Sequence, residues 1–554
     1  MLTYSRQKLL SSSTLAISGL LLSSPAFASA AADAEIARLH KEVAEMRLAI
    51  QSMRAEIHHN AMHQTTRHHA AKPEATPKNY SGEAEKAIQF GQSQPVVFSK
   101  MSQGDGRPVS DRGIVSSWAD FQRASKSDEE VTIGGMRFGF PQGRPTLQSS
   151  DGRYALSIGL AFQEDFGGFF NSGPRVGETA GHFNSFTSNA RRLRIPFSFR
   201  YKDIVANVTP DYAGGNNDGQ IGLYEANINY AGFHNSVLTI GYFQPRVTLV
   251  DSESSNDFML MERPGITDIV RNIAASDARF SIGGMHYEKR WWVGAYFTGQ
   301  QFGARNSSGY YGGDSSISDS QTGGLLRAAG RPIATKNWDL HLGVSSIAAF
   351  KPNQSSSGRT FKLSQRPEIN LGEDSLISTG NMSNVSHVWS VGPEVALRWK
   401  RFLMQGEYYT IGVDRKSSNS VQQLPTLHFK GWYGAANYTI FGTPRLYNIK
   451  EGAFSAPGVP EVDEFDPSTG HWGALEISGR YSVTDLNSNL GSVNGVRGGQ
   501  QTVWAGGLNW YPNRHFRVML DFNHFIASRS ANAGTLNTVG RNGNSIAARI
   551  QAGF

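Results

Sequence analysis

The sequence predicts an all-β protein, an antiparallel transmembrane β-barrel of about sixteen strands preceded by a short N-terminal coiled-coil helix. Three observations predict it. From about Tyr154 onward, apolar and polar residues alternate over segments of about ten, separated by Gly, Asn, Ser and Asp, as in strands with one face on lipid and one on a polar lumen. Aromatic residues fall near the segment ends, as in Trp291-Trp292, Tyr408-Tyr409, Trp432-Tyr433 and Trp510-Tyr511, where a barrel carries its interfacial girdle. After the N-terminus no stretch of the 554 residues approaches the roughly 20 apolar residues of a spanning helix, and mean hydropathy is -0.38. A soluble β-sandwich also alternates, but it does not account for the aromatic ends. Nor does it explain long Gly- and Ser-rich loops alternating with turns as short as Pro512-Asn513-Arg514.

Residues 1–28 read as a secretory signal: Arg6 and Lys8, the apolar stretch Leu9–Leu22, then Pro25 and the small-x-small site Ala26-Phe27-Ala28. Lys plus Arg exceed Asp plus Glu by 53 − 46 = 7, and loss of the two basic signal residues leaves +5. That excess is spread along the chain, so nucleic acid is not an expected partner. The absence of Cys excludes disulfides, thiolate metal sites and Cys nucleophiles, and no cofactor or metal is expected.

Over 33–58, Ile36, Leu39, Val43, Met46, Ile50, Met53 and Ile57 alternate at three and four, a heptad seam of about three repeats. Self-association, with a lean toward a dimer, and packing on the protein's own domain are the two readings of that seam. Residues 59–150 are expected to be a polar linker. The histidines His58, His59, His63, His68 and His69 open it; their irregular spacing suits a solvated tether better than a metal site.

The domain 151–554 is expected to hold strands near 153–163, 190–201, 203–213, 221–232, 236–245, 279–289, 291–300, 322–332, 337–348, 389–400, 402–413, 427–441, 472–484, 500–511, 515–526 and 544–554. An even count returns both termini to the periplasm. Segment 442–471 fits badly, because parity puts it on the side of short turns, so two strands there are open to misassignment. A candidate strand at 131–140 is left in the linker.

In the second strand Leu193, Ile195, Phe197 and Phe199 define the lipid face, which points Arg192, Arg194 and Arg200 into the lumen and leaves Arg191 at the rim. By the same parity Tyr224, Ala226, Ile228 and Tyr230 share the apolar face of their strand. The loop Arg246–Ala278 carries Phe258, Met259, Leu260, Ile266, Ile269 and Val270, poor choices for a solvated tip, so inward folding is expected. Its Arg246, Arg263 and Arg271 complete the candidate constriction, since Arg donors suit phosphate and carboxylate oxygens. The alternative for each arginine is a wall charge paired to an acid such as Glu225 or Asp211. Lumen acids (Asp339, Glu394, Glu407, Asp521) also offset lumen bases (Arg398, Lys400, Arg480, Arg517, Arg549).

The chain resembles the phosphate-selective porins O and P of bacterial outer membranes. The resemblance runs through Asp151-Gly152-Arg153, Ala190-Arg191-Arg192-Leu193-Arg194, Leu238–Pro245, Ser255-Asn256-Asp257 and Met261-Glu262-Arg263. It continues in Arg366-Pro367-Glu368, Gln405–Tyr408, Gly431-Trp432-Tyr433, Gly479–Ser482 and Leu508–Tyr511. It implies a sixteen-stranded homotrimer passing small anions such as phosphate, with the third loop folded into the lumen. It departs from the family at Phe243-Gln244-Pro245, where phosphate-selective members carry a lysine. Expected is therefore a passive outer-membrane porin for small hydrophilic solutes, biased toward anions. The alternatives are a weakly selective general or sugar porin, an envelope tether reaching peptidoglycan through the N-terminal region, and a barrel enzyme. The last lacks any Gly-x-Ser-x-Gly or phosphate-cradling loop.

Overall fold

The computed structural model describes residues 131–133, 136–140, 144–172, 185–213, 221–303, 319–355, 358–372, 375–416, 423–530 and 538–554. The expected signal peptide, the coiled coil and residues 59–130 of the linker lie outside the described residues.

Sixteen strands close into a barrel. β1 runs Tyr154–Ile158 and on through Ala161–Phe170, β2 Thr187–Arg194 and Phe197–Tyr201, β3 Ile204–Asp211, β4 Gly222–Tyr230, β5 Ser236–Phe243, β6 Arg279–Tyr287, β7 Trp291–Gln301 and β8 Thr322–Ala334. β9 is Trp338–Lys351, β10 Val385–Trp399, β11 Phe402–Lys416, β12 Gln423–Phe441, β13 Ala474–Ser488, β14 Val496–Tyr511, β15 Phe516–Ser530 and β16 Thr538–Gly553. Each of the sixteen segments expected from alternation is one of these strands. Neighbours pair antiparallel, and β16 closes on β1 with Ala552 opposite Phe162. Alternation works as read: on β15 Phe516, Val518, Leu520 and Phe522 face outward, while Arg517, Met519, Asp521 and Asn523 face the filled interior.

The wall is uneven. β3 to β6 have 8 or 9 residues each, whereas β8 to β16 have 13 to 19. At the seam Pro196, with no N–H to donate, interrupts β2, and Gly159 on β1 donates to its carbonyl at 2.8 Å. A Cβ on Gly159 would stand 2.8 Å from the Phe554 carbonyl, so the chain end passes close beside it.

Two expectations are corrected outside the barrel wall. The linker up to residue 150 contains short strands, Val131–Ile133, Met136–Gly139 and Thr146–Ser149, the last paired to β1 with Leu147 opposite Leu156. β16 pairs only with the second half of β1, so these hairpins cover an edge that would otherwise stand open. Segment 442–473 hides no barrel strand. It is a true periplasmic loop whose only strands are the two-residue pair Tyr447–Asn448 and Ala453–Phe454. It turns inward, burying Ala453 and Phe454, and Trp292 of β7 donates to the Lys450 carbonyl at 2.9 Å.

The third extracellular loop, between β5 and β6, carries helices α1 (Leu249–Ser252) and α2 (Gly265–Ala274). It folds into the barrel, where Phe258, Met259, Leu260, Ile266, Ile269 and Val270 are all buried.

Candidate channel constriction

Polar wall residues on the tall side of the barrel hold the loop by its backbone. Glu407 of β11 accepts from the Leu249 and Val250 amides at 2.9 and 3.1 Å, capping the start of α1. Asp521 of β15 accepts from the Met261 amide at 2.7 Å. Arg517 donates to the Asn256 and Phe258 carbonyls at 2.8 and 2.6 Å, and Arg549 to the Met261 carbonyl at 2.8 Å. The inward periplasmic loop supports the same turn: Arg445 donates to the Asp257 carbonyl at 2.5 Å and pairs with Glu476 of β13 at 2.7 Å. Charges on this side thus anchor the loop, and the open water path is pushed toward β2 to β7. Asp339 meets Arg331 and Arg398, and Glu394 meets Arg327. Lys400 does not face the lumen: it sits in the turn before β11 at φ 53°, exposed beside Trp399.

The path on the short side is a polar cavity of about 150 Å³ between the loop and the wall of β2 to β7. Four of the six candidate arginines line it: Arg192, Arg194, Arg246 and Arg263. Arg194 pairs with Asp211 of β3 at 2.7 Å and lies 3.5 Å over the Tyr224 ring. Arg246 pairs with Glu451 of the periplasmic loop at 3.2 Å. Arg263 pairs with Asp251 at 3.2 Å and lies 4.6 Å over Phe258. Burial lowers its pKa, and the neighbouring Arg271 adds to that. Arg192 differs from all three. It donates to the Gln163 side chain of β1, its Nε has no partner, and it meets no carboxylate among the described residues.

The other two candidates are not at this aperture. Arg271, on α2, uses its donors within the loop on Asp251 at 2.9 Å and on Asp277. Arg200 faces inward as expected but near the periplasmic end, where it donates to the Gly152 carbonyl at 2.6 Å. Parity gave its face correctly and could not give its height.

Two residues placed on the outer face by parity turn in. Gln163 is opposite Arg192 and Glu164 opposite Ala190, so Arg191 is the extra residue of a bulge. It pairs with Glu262 of the loop at 2.7 Å instead of standing at the rim. Burial alone would raise the pKa of Glu262, yet Arg191 and then Arg549 hold it well below the usual carboxylate range. On β4, Thr209 is opposite Glu225 and Pro210 opposite Leu223, so Tyr224 is likewise extra and joins the cavity lining. Pro210 offers no N–H to that interrupted ladder.

The model of the phosphate-selective porin O and P family matches residues 157–554. The chain belongs to that family. It is a porin of the bacterial outer membrane, a water-filled channel for passive diffusion of small hydrophilic solutes. Among solved structures this porin is similar to Vibrio cholerae OmpT in its trimer form, at 12% identity and TM-score 0.41, covering 72% of this chain and 99% of that one. It is also similar to the outer-membrane channel DcaP of Acinetobacter baumannii, at 10% identity and TM-score 0.40 over 72% and 97% of the two chains. The anion-selective porin from Comamonas acidovorans matches at 8% identity and TM-score 0.40, over 72% and 100%. A search of curated proteins gives no match.

A second polar cavity lies between this loop and the fifth extracellular loop, lined by Arg191, Arg263, Arg366, Asp268 and Glu368. Arg263 lines both cavities, so one guanidinium is shared by the porin's outer vestibule and its constriction. Arg366 and the fifth loop's part in the lumen carried no sequence signal beyond the motif Arg366-Pro367-Glu368.

Proposed function

We propose that the porin favours small anions, such as phosphate, and that Arg192 is the group that attracts them at the constriction. One observation carries this: Arg192 is a wall arginine facing the cavity with a single side-chain hydrogen bond and no carboxylate partner among the described residues. Its remaining donors are available to an oxyanion, as Arg geometry favours. Arg263 and Arg191, at the outer cavity, hand the ion inward but are themselves paired to acids. The low wall of β3 to β6, whose 8 or 9 residues fall at or below the roughly 9–11 that a lipid-facing strand needs, supports a homotrimer. Neighbouring subunits would cover that wall. Family membership favours a channel over a barrel enzyme. Signal peptide, coiled coil and any peptidoglycan contact remain part of this proposal, since they rest on the sequence alone.

The test is reversal potential across a planar bilayer in graded chloride salt, with phosphate added as a competing blocker. Arg192→Gln should lose most of the anion preference and the phosphate block, whereas Arg200→Gln should keep both. A wild-type channel that prefers cations would overturn the proposal.

A further inference from the structure

The anion reading leaves the acidic side chains of the cavity unexplained. Basic and acidic side chains lining it are equal in number, four of each. Three of the arginines have the acid partners given above, and Asp251 and Asp277 are taken by Arg271. That leaves Arg192, Glu225 and Glu253. Burial pushes the pKa of Glu253 up to about 8, and its carboxyl accepts from Gln405 at 3.1 Å, so it is mostly uncharged at neutral pH.

Glu225 is different. Its Oε1 accepts from the Thr209 hydroxyl at 3.0 Å and its Oε2 from the Asn227 amide at 2.9 Å. Accepting at both oxygens favours the carboxylate form. Asn227 is in turn held by Asn207 at 3.1 Å and Asn229 at 2.6 Å, so the carboxylate is fixed in place. It forms no ion pair among the described residues, and the arginines that act on it from nearby are Arg194, already paired with Asp211, and Arg144. One cavity therefore presents, on the same wall, an arginine and a glutamate that form no ion pair among the described residues. It also carries an apolar stretch of Val237, Phe243, Met285 and Tyr296.

We propose that this constriction selects small zwitterions with separated charges: a solute carboxylate meets Arg192, its ammonium meets Glu225, and its methylenes lie on the Val237, Phe243, Met285 and Tyr296 patch. The proposal rests on the anion reading for its Arg192 half. Spacing decides the class of zwitterion. β3 lies between β2 and β4, so the two backbones stand about 10 Å apart, two strand spacings. Arg194 is opposite Asp211 and Glu225 opposite Thr209, so Arg192 and Glu225 are displaced in opposite directions along the wall as well. An α-amino acid, with both charges on one carbon, cannot reach both groups. An ω-amino acid can.

The test is interruption of single-channel current at pH 7 by δ-aminovalerate, valerate and glycine. δ-Aminovalerate should block the unmodified channel at about tenfold lower concentration than either of the others. Glu225→Gln should remove that advantage and leave the weaker valerate block in place. Equal potency of δ-aminovalerate and valerate in the unmodified channel would overturn the proposal, and this comparison needs no variant to fold. A channel that keeps its anion preference but shows that equality refutes the zwitterion alone. Loss of anion preference together with absence of valerate block refutes the Arg192 reading itself.

Discussion

Glu253 makes the selectivity of this porin depend on pH. It follows α1 directly, lines the constriction, accepts from Gln405, and faces Arg445, Asp257 and Glu407. Burial raises its pKa to about 8, with the carboxylates of Asp257 and Glu407 adding to the rise and Arg445 opposing it. The group is therefore protonated at pH 6 and about nine-tenths ionised at pH 9. Ionisation adds close to one negative charge to the lining. At a separation on the order of 10 Å, even with the full dielectric of water, that charge disfavours a passing anion by about 0.4 kcal/mol and favours a cation equally. The anion-to-cation permeability ratio should fall about fourfold between pH 6 and pH 9. Linkage gives a second sign: a carboxyl raised above its unfolded value contributes stability at low pH that is lost as pH rises through about 8. Reversal potentials of wild type and Glu253→Gln at the two pH values test this. A wild-type ratio that is flat or rises, or a Glu253→Gln channel that tracks wild type, refutes the assignment.

Two further outcomes follow from contacts in the lumen and at the seam. Asp521→Ala leaves the buried Met261 amide without its acceptor, a loss of about 1–3 kcal/mol, so the third loop should loosen and single-channel current should become larger and noisier. An unchanged current trace would show that the other anchors suffice. Gly167→Ala puts a Cβ 2.1 Å from the Ile546 carbonyl across the closure of β1 on β16, and should lower the urea midpoint of the folded barrel by an amount equivalent to about 1–3 kcal/mol. Wild-type stability in that variant would mean that the seam opens more easily than its register suggests.

The barrel was legible because two solvents impose its pattern. Lipid outside and polar contents inside force a change of chemistry at every residue, so Phe516 to Asn523 announce both the strand and the face of each side chain. The inward third loop was legible for a related reason, since Phe258 to Leu260 have no place in water. The lower loop was not. Its Arg445 and Glu451 look like solvated charges in the sequence and act as struts in the fold, with partners more than thirty residues away or on another loop. Edge cover was also invisible: nothing in Thr146 to Ser149 says that β16 stops short and leaves part of β1 to be paired.

The two faces misassigned at the constriction share one cause. Period-two reasoning assigns a face by counting, and a bulge resets the count without marking itself in composition. Arg191 and Tyr224 are the two extra residues, on β2 and β4, and both were counted to the outer face. Each bulge brings a functional type of side chain inward beside one that parity already placed there: Arg191 beside Arg192, and Tyr224 beside Glu225. The first gives adjacent arginines to the outer and inner cavities. The second puts an aromatic ring under Arg194 at 3.5 Å while Glu225, on the neighbouring position, accepts from Thr209 and Asn227. A regular ladder could offer only alternate residues to the lumen at these heights. The constriction therefore owes its density of charge to the two places where the strand rule breaks, and deleting Arg191 should restore a regular register with Arg192 still opposite Gln163 and facing the lumen, so that the reversal potential keeps its anion preference while Glu262 is left to Arg549 alone.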